Sequence, residues 1–470
     1  MRGAAEEVGV GSYEPGEVLV PESTIPGLVW PAVPPPGHQL VLTLLAQLAH
    51  SQWWPVERLR EYQFLQLRSL LEHARKTTRY YRRRLRDVDP GRLTPQSWAK
   101  VPLLPRRALQ TKAGALVSTS VPREHGKVGA VTTSGSTGMP VTVKQTGLAQ
   151  SFWTTFTVRD SLWHRRDMSA KLASIRHTTH PATAYPQGAS APTWGKTSGI
   201  ISPLGPSNTL RITTPVHQQL EWLQRQDAVY LVTYPTNLLH LAHLALARGV
   251  RLPKLRGVST LSEVLSPDVR DAVREAWGVP VHDMYSAQEV GYIALQCPES
   301  EHYHVQSEGV LLEVLDDEGQ PCAPGEVGRV VVTSLHNFAM PLIRYDLGDF
   351  AEVGEPCSCG RGLPVLRRIL GRVRNSLLTP GGDRQWVYFG TAAMVEKLPI
   401  VQHQLVQTEP DAIELRVVME RPMTPDDAQW LEEHVKAHLP YPFRVTVSAH
   451  DILPRSASGK FEDFVCEVEE

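Results

Sequence analysis

Surplus charge is what this chain lacks most. Across 470 residues, 48 Lys and Arg stand against 49 Asp and Glu, a formal net charge of −1. That balance supplies no basic field for a phosphate backbone, so nucleic acid is not an expected partner. Long apolar runs are missing too, and none reaches the length that crosses a bilayer, so no membrane partner is expected. The start, with Arg2 and then Glu6-Glu7, has no secretory hydrophobic segment, and the expectation is a soluble, cytoplasmic chain. Cysteine is scarce: five residues, at 297, 322, 357, 359 and 466, an odd number that argues against a disulfide framework. There is also no nucleophile elbow of the kind that presents a catalytic serine.

What is there begins with Val131-Thr132-Thr133-Ser134-Gly135-Ser136-Thr137-Gly138-Met139-Pro140-Val141. Glycines let a backbone turn several N–H groups toward one point, and the hydroxyls of Thr133, Ser134, Ser136 and Thr137 add donors around Gly135 and Gly138. Such a loop suits a polyphosphate. It is not a Walker loop, because Gly138 is followed by Met139-Pro140 where that motif needs Lys and then Ser or Thr. A flexible Ser/Gly linker has the same composition. The alternating Thr142-Val143-Lys144-Gln145-Thr146 that follows reads as a strand and places the loop inside a hairpin.

Residues 1–38 are rich in Pro and Gly without periodicity and read as an irregular arm. Leu59, Tyr62, Leu67, Leu70 and Ala74 recur at the spacing of an amphipathic helix. Residues 151–215 are rich in Trp, His and Arg, which would serve an acyl pocket or ordinary packing equally well. Two strand-helix units follow, from the strand at Ala228-Val232 and helix from Pro235 to the Gly249 cap, then the strand at Gly257-Thr260 and helix at Pro267-Trp277. Alternating strands and helices imply a parallel sheet with helices on its faces, whose ligands bind at the carboxyl ends of the strands. Ser262-Glu263 and Asp283-Met284-Tyr285-Ser286 both leave strands on that edge. Past residue 372, alternation at Ile413-Leu415-Val417-Met419 and a capped helix start at Thr424-Pro425 read as a small α+β unit.

The hydroxyl-rich loop is followed, in order, by Tyr285-Ser286-Ala287-Gln288-Glu289, Ile343-Arg344-Tyr345-Asp346-Leu347-Gly348-Asp349, Gly371-Arg372 and Ser458-Gly459-Lys460. In this order the motifs resemble the adenylate-forming superfamily of acyl-CoA synthetases, adenylation domains and luciferases, in its phenylacetate-CoA ligase branch. The resemblance implies an α/β fold: an arm (1–38), a large adenylation domain (39–372) with parallel sheets flanked by helices, and a mobile C-terminal lid (373–470) hinged near Arg374. It implies ATP as cofactor, held by Thr133 to Gly138, with Ser262, Glu263, Tyr285 and Ser286 flanking the adenine. It also assigns Glu289 to Mg²⁺, Asp349 to the ribose hydroxyls, Arg372 to the nucleotide site, and Lys460 to the transition state.

Cys297, His304, Cys357 and Cys359 form a Cys₃His set of the structural zinc type, with His302 as a rival nitrogen ligand. Lone cysteines are often simply buried. Members of the resembled branch carry the same cysteines and the same His-Val-x-Ser-Glu, and some bind zinc there.

The chemistry that the resemblance implies is AMP-forming acid activation: a small carboxylic acid of the aryl class attacks the α-phosphorus of ATP, and the acyl group then passes to coenzyme A. Two other outcomes stay open, transfer to a carrier protein or an amine, and a catalytically weak nucleotide-binding relative. A homodimer is left open as well.

Overall fold

Proline opens and glycine closes the helices that cover the central sheet. Pro235 starts the helix Pro235–Arg248, where its fixed φ fits and its missing N–H is no loss, and Gly249 ends it at φ 64°. Pro267–Trp277 repeats the arrangement, with Gly278 at φ 69°. Between them the strand Gly257–Thr260 is buried at every position, as a strand covered on both faces must be. The computed structural model describes Pro26 and residues 33–34, 37–133, 140–195, 204–387, 389, 391–456 and 459–468. The arm expected at 1–38 therefore lies almost wholly outside the described residues.

The main sheet has twelve strands. Its parallel part runs, in spatial order, Ser207–Arg211, Leu172–Arg176, Tyr230–Thr233, Gly257–Thr260 and Val281–Ala287. Trp222, Leu238, Leu241 and Val273 from the covering helices pack on Leu231 and Val258. After Val281–Ala287 the direction reverses, and the sheet continues antiparallel through Gly291–Gln296, Tyr303–Val305, Val365–Arg372, Tyr345–Val353, Val327–Ser334 and Val310–Leu315. The predicted parallel sheet is present, joined edge to edge to an antiparallel extension.

The helix Val56–Thr77 packs Leu67, Leu70, Leu71 and Ala74 against Val330, Val332, Ile343 and Tyr345 of that extension. Tyr62 departs from expectation: it is exposed, its ring resting 5.0 Å from that of Trp54. The next position on the buried face is taken by Gln63, whose amide donates to the carbonyls of Ser307 and Val310 at 2.9 Å each.

The C-terminal part forms a separate four-stranded sheet in the order Arg444–Ala449, Ala412–Met419, Ile400–Glu409, Phe464–Cys466. The helix Pro425–Ala437 covers it, started by a capping box between Thr424 and Asp427. Leu405, Leu415, Leu431 and Val445 give this unit its own core. Among the described residues no helix is long and apolar enough to cross a membrane.

Candidate active site

The carboxyl ends of the parallel strands converge on one edge, and the candidate residues gather there. Tyr285 lies at the end of Val281–Ala287, buried, and its phenol donates to Asp349 Oδ2 at 2.7 Å. Burial, and then the Asp349 carboxylate, hold the phenol well above its ordinary pKa, so it stays a donor. Asp349 pairs across the antiparallel ladder with Arg372, whose Nε stands 3.5 Å from Asp349 Oδ1. Neighbouring strands thus hold an acid between a phenol and a guanidinium.

Glu289 follows in the turn after Val281–Ala287 and is buried. Its Oε1 accepts from Arg106 Nη1 at 2.9 Å, and Arg106 also donates to the Tyr345 hydroxyl at 3.0 Å. Oε2 has no hydrogen-bond partner among the described residues, which leaves one oxygen for a hard cation that takes few protein carboxylates. The predicted hairpin is formed by Val128–Thr132 and Thr142–Thr146. It is tied to this turn by Gln145, whose amide donates to the Gln288 carbonyl at 2.8 Å. Thr133 closes the hairpin: its hydroxyl accepts the Val141 N–H at 3.0 Å. The Thr133 oxygen is therefore used within the loop base. Ser134, Gly135, Ser136, Thr137 and Gly138 lie outside the described residues.

Lys460 reaches this group from the C-terminal unit. Burial lowers its pKa from the ordinary 10.5, as does Arg372, while Asp349, Glu263 and Glu289 act to raise it. These charges lie near enough to act on one ammonium, which puts Lys460 in the neighbourhood of Asp349, Glu263 and Glu289. Glu263 is brought in as well, but it contacts Thr236 and Phe461 and makes no hydrogen bond to Tyr285. Its Oε2 accepts from the N–H and hydroxyl of Thr236 at 3.2 and 2.8 Å, and its Oε1 from the Phe461 N–H at 2.7 Å. Burial raises the Glu263 pKa despite these donors. Ser262, by contrast, is exposed and adopts φ 72°, and Ser286 is half-buried.

Two residues in this network had no sequence signal. Arg106 belongs to an Arg106-Arg107 doublet that reads as a charged surface. Arg455, 3.9 Å from Glu263 Oε1, reads as part of the loop before Lys460. Of the Trp/His-rich segment, Trp163 and His164 go to packing. Trp163 donates to Gln52 Oε1 at 2.9 Å, and His164 stacks on His282 at 3.8 Å. Burial, then His164, push His282 down to about 2, so it is neutral and no base.

A second cluster lies on the antiparallel side. One ligand atom each from Cys297, His304, Cys357 and Cys359 fall within 4.8 Å of one another. Cys297 Sγ and Cys357 Sγ stand 3.8 Å apart, and Cys359 Sγ lies 3.3 Å from His304 Nε2. Two thiolates bound at about 2.3 Å to one tetrahedral ion would stand about 3.8 Å apart, whereas a disulfide needs about 2.05 Å. The donor set fits zinc. Burial raises the Cys359 thiol, but hydrogen bonds from His304 and Arg361 outweigh it and bring it down to about 6; burial pushes Cys297 up to about 12. A divalent cation would level this difference by holding all three as thiolates. The rival His302 stands outside the set, its Nδ1 2.7 Å from Ser300 Oγ.

Comparison with known proteins connects the chain that forms this sheet edge to AMP-binding enzymes. The AMP-binding enzyme family model matches residues 128–340. A phenylacetate-coenzyme A ligase of Thermus thermophilus is 28% identical over 346 residues, 70% of this chain and 73% of the relative. One from Pseudomonas putida is 23% identical over 342 residues, 69% of this chain and 73% of the relative. A 2-hydroxyisobutyryl-CoA ligase in its postadenylation state superposes with a TM-score of 0.69, covering 89% of this chain and 91% of that one at 17% identity, a likeness of fold. Across residues 128–340 the chain is thus similar to AMP-binding enzymes, and its fold is that of an acyl-CoA ligase.

Proposed function

We propose that the protein activates a small aryl carboxylic acid with ATP and transfers the acyl group to coenzyme A. The observation that carries this reading is Lys460, delivered by the C-terminal unit into the charges of Asp349, Glu289 and Arg372. In the first step a carboxylate oxygen attacks the α-phosphorus, the bond to the bridging oxygen breaks, and pyrophosphate leaves. Lys460 neutralises charge that develops at the α-phosphate. Asp349, oriented by Tyr285 and Arg372, accepts from the two ribose hydroxyls, one per oxygen. Thr133 to Gly138 hold the β- and γ-phosphates, and Ser262 and Ser286 border the adenine.

Glu289 would hold Mg²⁺, which would supply charge neutralisation to the triphosphate. Arg106 holds the Glu289 carboxylate in place through its hydrogen bond to Oε1 at 2.9 Å. In the second step the coenzyme A thiolate attacks the acyl carbon and AMP leaves, with the C-terminal unit rotated about Arg374 as a lid. Cys297, His304, Cys357 and Cys359 would hold zinc in a structural role, since four protein ligands would leave no open position. The aryl class is supported by the phenylacetate-coenzyme A ligases among the relatives.

The test is carboxylate-dependent exchange of labelled pyrophosphate into ATP over a panel of aryl and short acyl acids. Exchange with an aryl acid, followed by thioester formation when coenzyme A is added, is the expected result. Exchange without any thioester would move the acceptor to a carrier protein or an amine. Absence of exchange with every acid would contradict the reading.

A further inference from the structure

We propose that Glu263 is a positioning residue that clasps the C-terminal unit to the main sheet and so sets Lys460 for adenylate formation. The proposal rests on the adenylation reading above, and departs from the adenine-flanking role that resemblance assigns to Glu263. The two oxygens of one carboxylate divide between the two units. Oε2 takes the N–H and hydroxyl of Thr236, in the first turn of the fourteen-residue helix Pro235–Arg248. Oε1 takes the N–H of Phe461, with Arg455 Nη1 at 3.9 Å beside it. The Glu263 side chain is 5% exposed, and Thr236 and Phe461 are buried.

The Phe461 N–H is not an arbitrary handle. It belongs to the rigid peptide plane that begins at the Lys460 Cα, so fixing that N–H fixes the base of the lysine side chain. On the other side of Lys460, Gly459 adopts φ 76°, and a Cβ there would stand 2.9 Å from both His177 Cβ and Ile212 Cγ2. The loop is thus pressed on the strand ends before the lysine and tethered to Glu263 after it.

The clasp is asymmetric in a way that suits a unit that must leave. On the fixed side, the helix N-terminus and the Thr236 donors persist when the C-terminal unit moves away. On the moving side the carboxylate exchanges one N–H and a nearby guanidinium for water, a swap with a small net free energy. Glu263, Arg455 and Asp463 lie together at the junction. The Glu263 and Arg455 side chains are 5% and 12% exposed, so closure withdraws two charged groups from water together. Removing the Glu263 carboxylate strips the Phe461 N–H and Arg455 of their partner in the closed arrangement alone.

The test separates the two half-reactions. In Glu263→Ala, pyrophosphate exchange falls about 100-fold, the usual cost of a displaced reacting group. Thioester formation from presynthesised acyl-adenylate and coenzyme A, made with the unit rotated away, falls less than about threefold on the same reasoning. Glu263→Gln, which keeps one acceptor oxygen, recovers part of the exchange rate, and Thr236→Val, which removes one body-side donor, gives a smaller loss. Equal losses in both half-reactions, or no loss in exchange, would overturn the proposal.

Amide hydrogen exchange on substrate-free protein decides the clasp independently of the chemistry. The Phe461 amide exchanges about tenfold faster in Glu263→Ala, the equivalent of one lost hydrogen bond, while strand 412–419 is unchanged. Unaltered protection at Phe461 would overturn the clasp. Wild-type protein that exchanges no pyrophosphate with any acid would contradict the adenylation reading and leave the amide measurement to judge the clasp by itself.

Discussion

The Cys297, His304, Cys357 and Cys359 cluster draws its donors from the strand Tyr303–Val305 and from loops beside the neighbouring strands Gly291–Gln296 and Val365–Arg372. His304 pairs with Val365 across neighbouring strands, and Gln52 beside it accepts from Trp163 and Arg361. The site around Lys460 is assembled from two units with separate cores, and it exists only where they meet. Both are clusters of ionisable groups on the same sheet. The first draws its donors from one unit; the second takes Lys460 from the C-terminal unit, and Glu263 and Arg106 near it are themselves paired, with Phe461 and Glu289. A static site can be read from side chains alone. A site shared by two units has to be read from what joins them.

Substitutions can break or sharpen this contrast. The largest effect is expected for Lys460→Ala, which lowers pyrophosphate exchange by about 10³-fold, at the upper end for one charge-stabilising group. The metal cluster should not notice, and metal content by elemental analysis stays the same. Next, Arg106→Met leaves Glu289 buried without its cation and costs roughly 3 kcal/mol, read by denaturant unfolding. Mg²⁺-ATP restores part of that loss, because a divalent ion then meets the same carboxylate. Loss of stability without such recovery would separate Glu289 from the metal.

At the static site, Cys359→Ala should remove about one zinc per chain and cost roughly 2 kcal/mol or more. Pyrophosphate exchange measured well below the unfolding temperature should change little, since no donor of the cluster touches the nucleotide site. A smaller effect belongs to Tyr285→Phe, which deletes one hydrogen bond to Asp349, costs about 1 kcal/mol, and raises the KM for ATP about fivefold.

The pH dependence follows from Lys460. The protonated lysine is the working form, and burial lowers its pKa from 10.5. The exchange rate should therefore hold on the acid side of that lowered pKa and fall as pH rises through it, giving an alkaline limb below the ordinary lysine range. The small residual rate of Lys460→Ala should lack this limb.

How much of this was legible follows from how each site is made. Cys is scarce, so the spacing of Cys297, Cys357 and Cys359 with the nearby His304 pointed to one cluster without any knowledge of the fold. The helices from Pro235 and Pro267 and their closing glycines were readable because caps and turn residues act locally. Glu289, Asp349 and Lys460 were legible only as an ordered set of motifs, since an acid in a turn or a lysine after glycine says nothing alone. Arg106 was hidden in a doublet that looks like surface charge. Glu263 was found, but its partners were not: Thr236 lies 27 residues away and Phe461 lies 198 away, separations that no periodicity reports. Tyr62 was misread because one helix turn offers both a buried and a bordering position, and the buried one went to a glutamine with two carbonyls to satisfy.

The central claim is that a carboxylic acid is activated at the junction of the two units, and one measurement reaches it most directly. Labelled pyrophosphate exchange into ATP should appear with an aryl acid in the wild type and be lost in Lys460→Ala. Exchange that persists in Lys460→Ala at the wild-type rate would contradict the account.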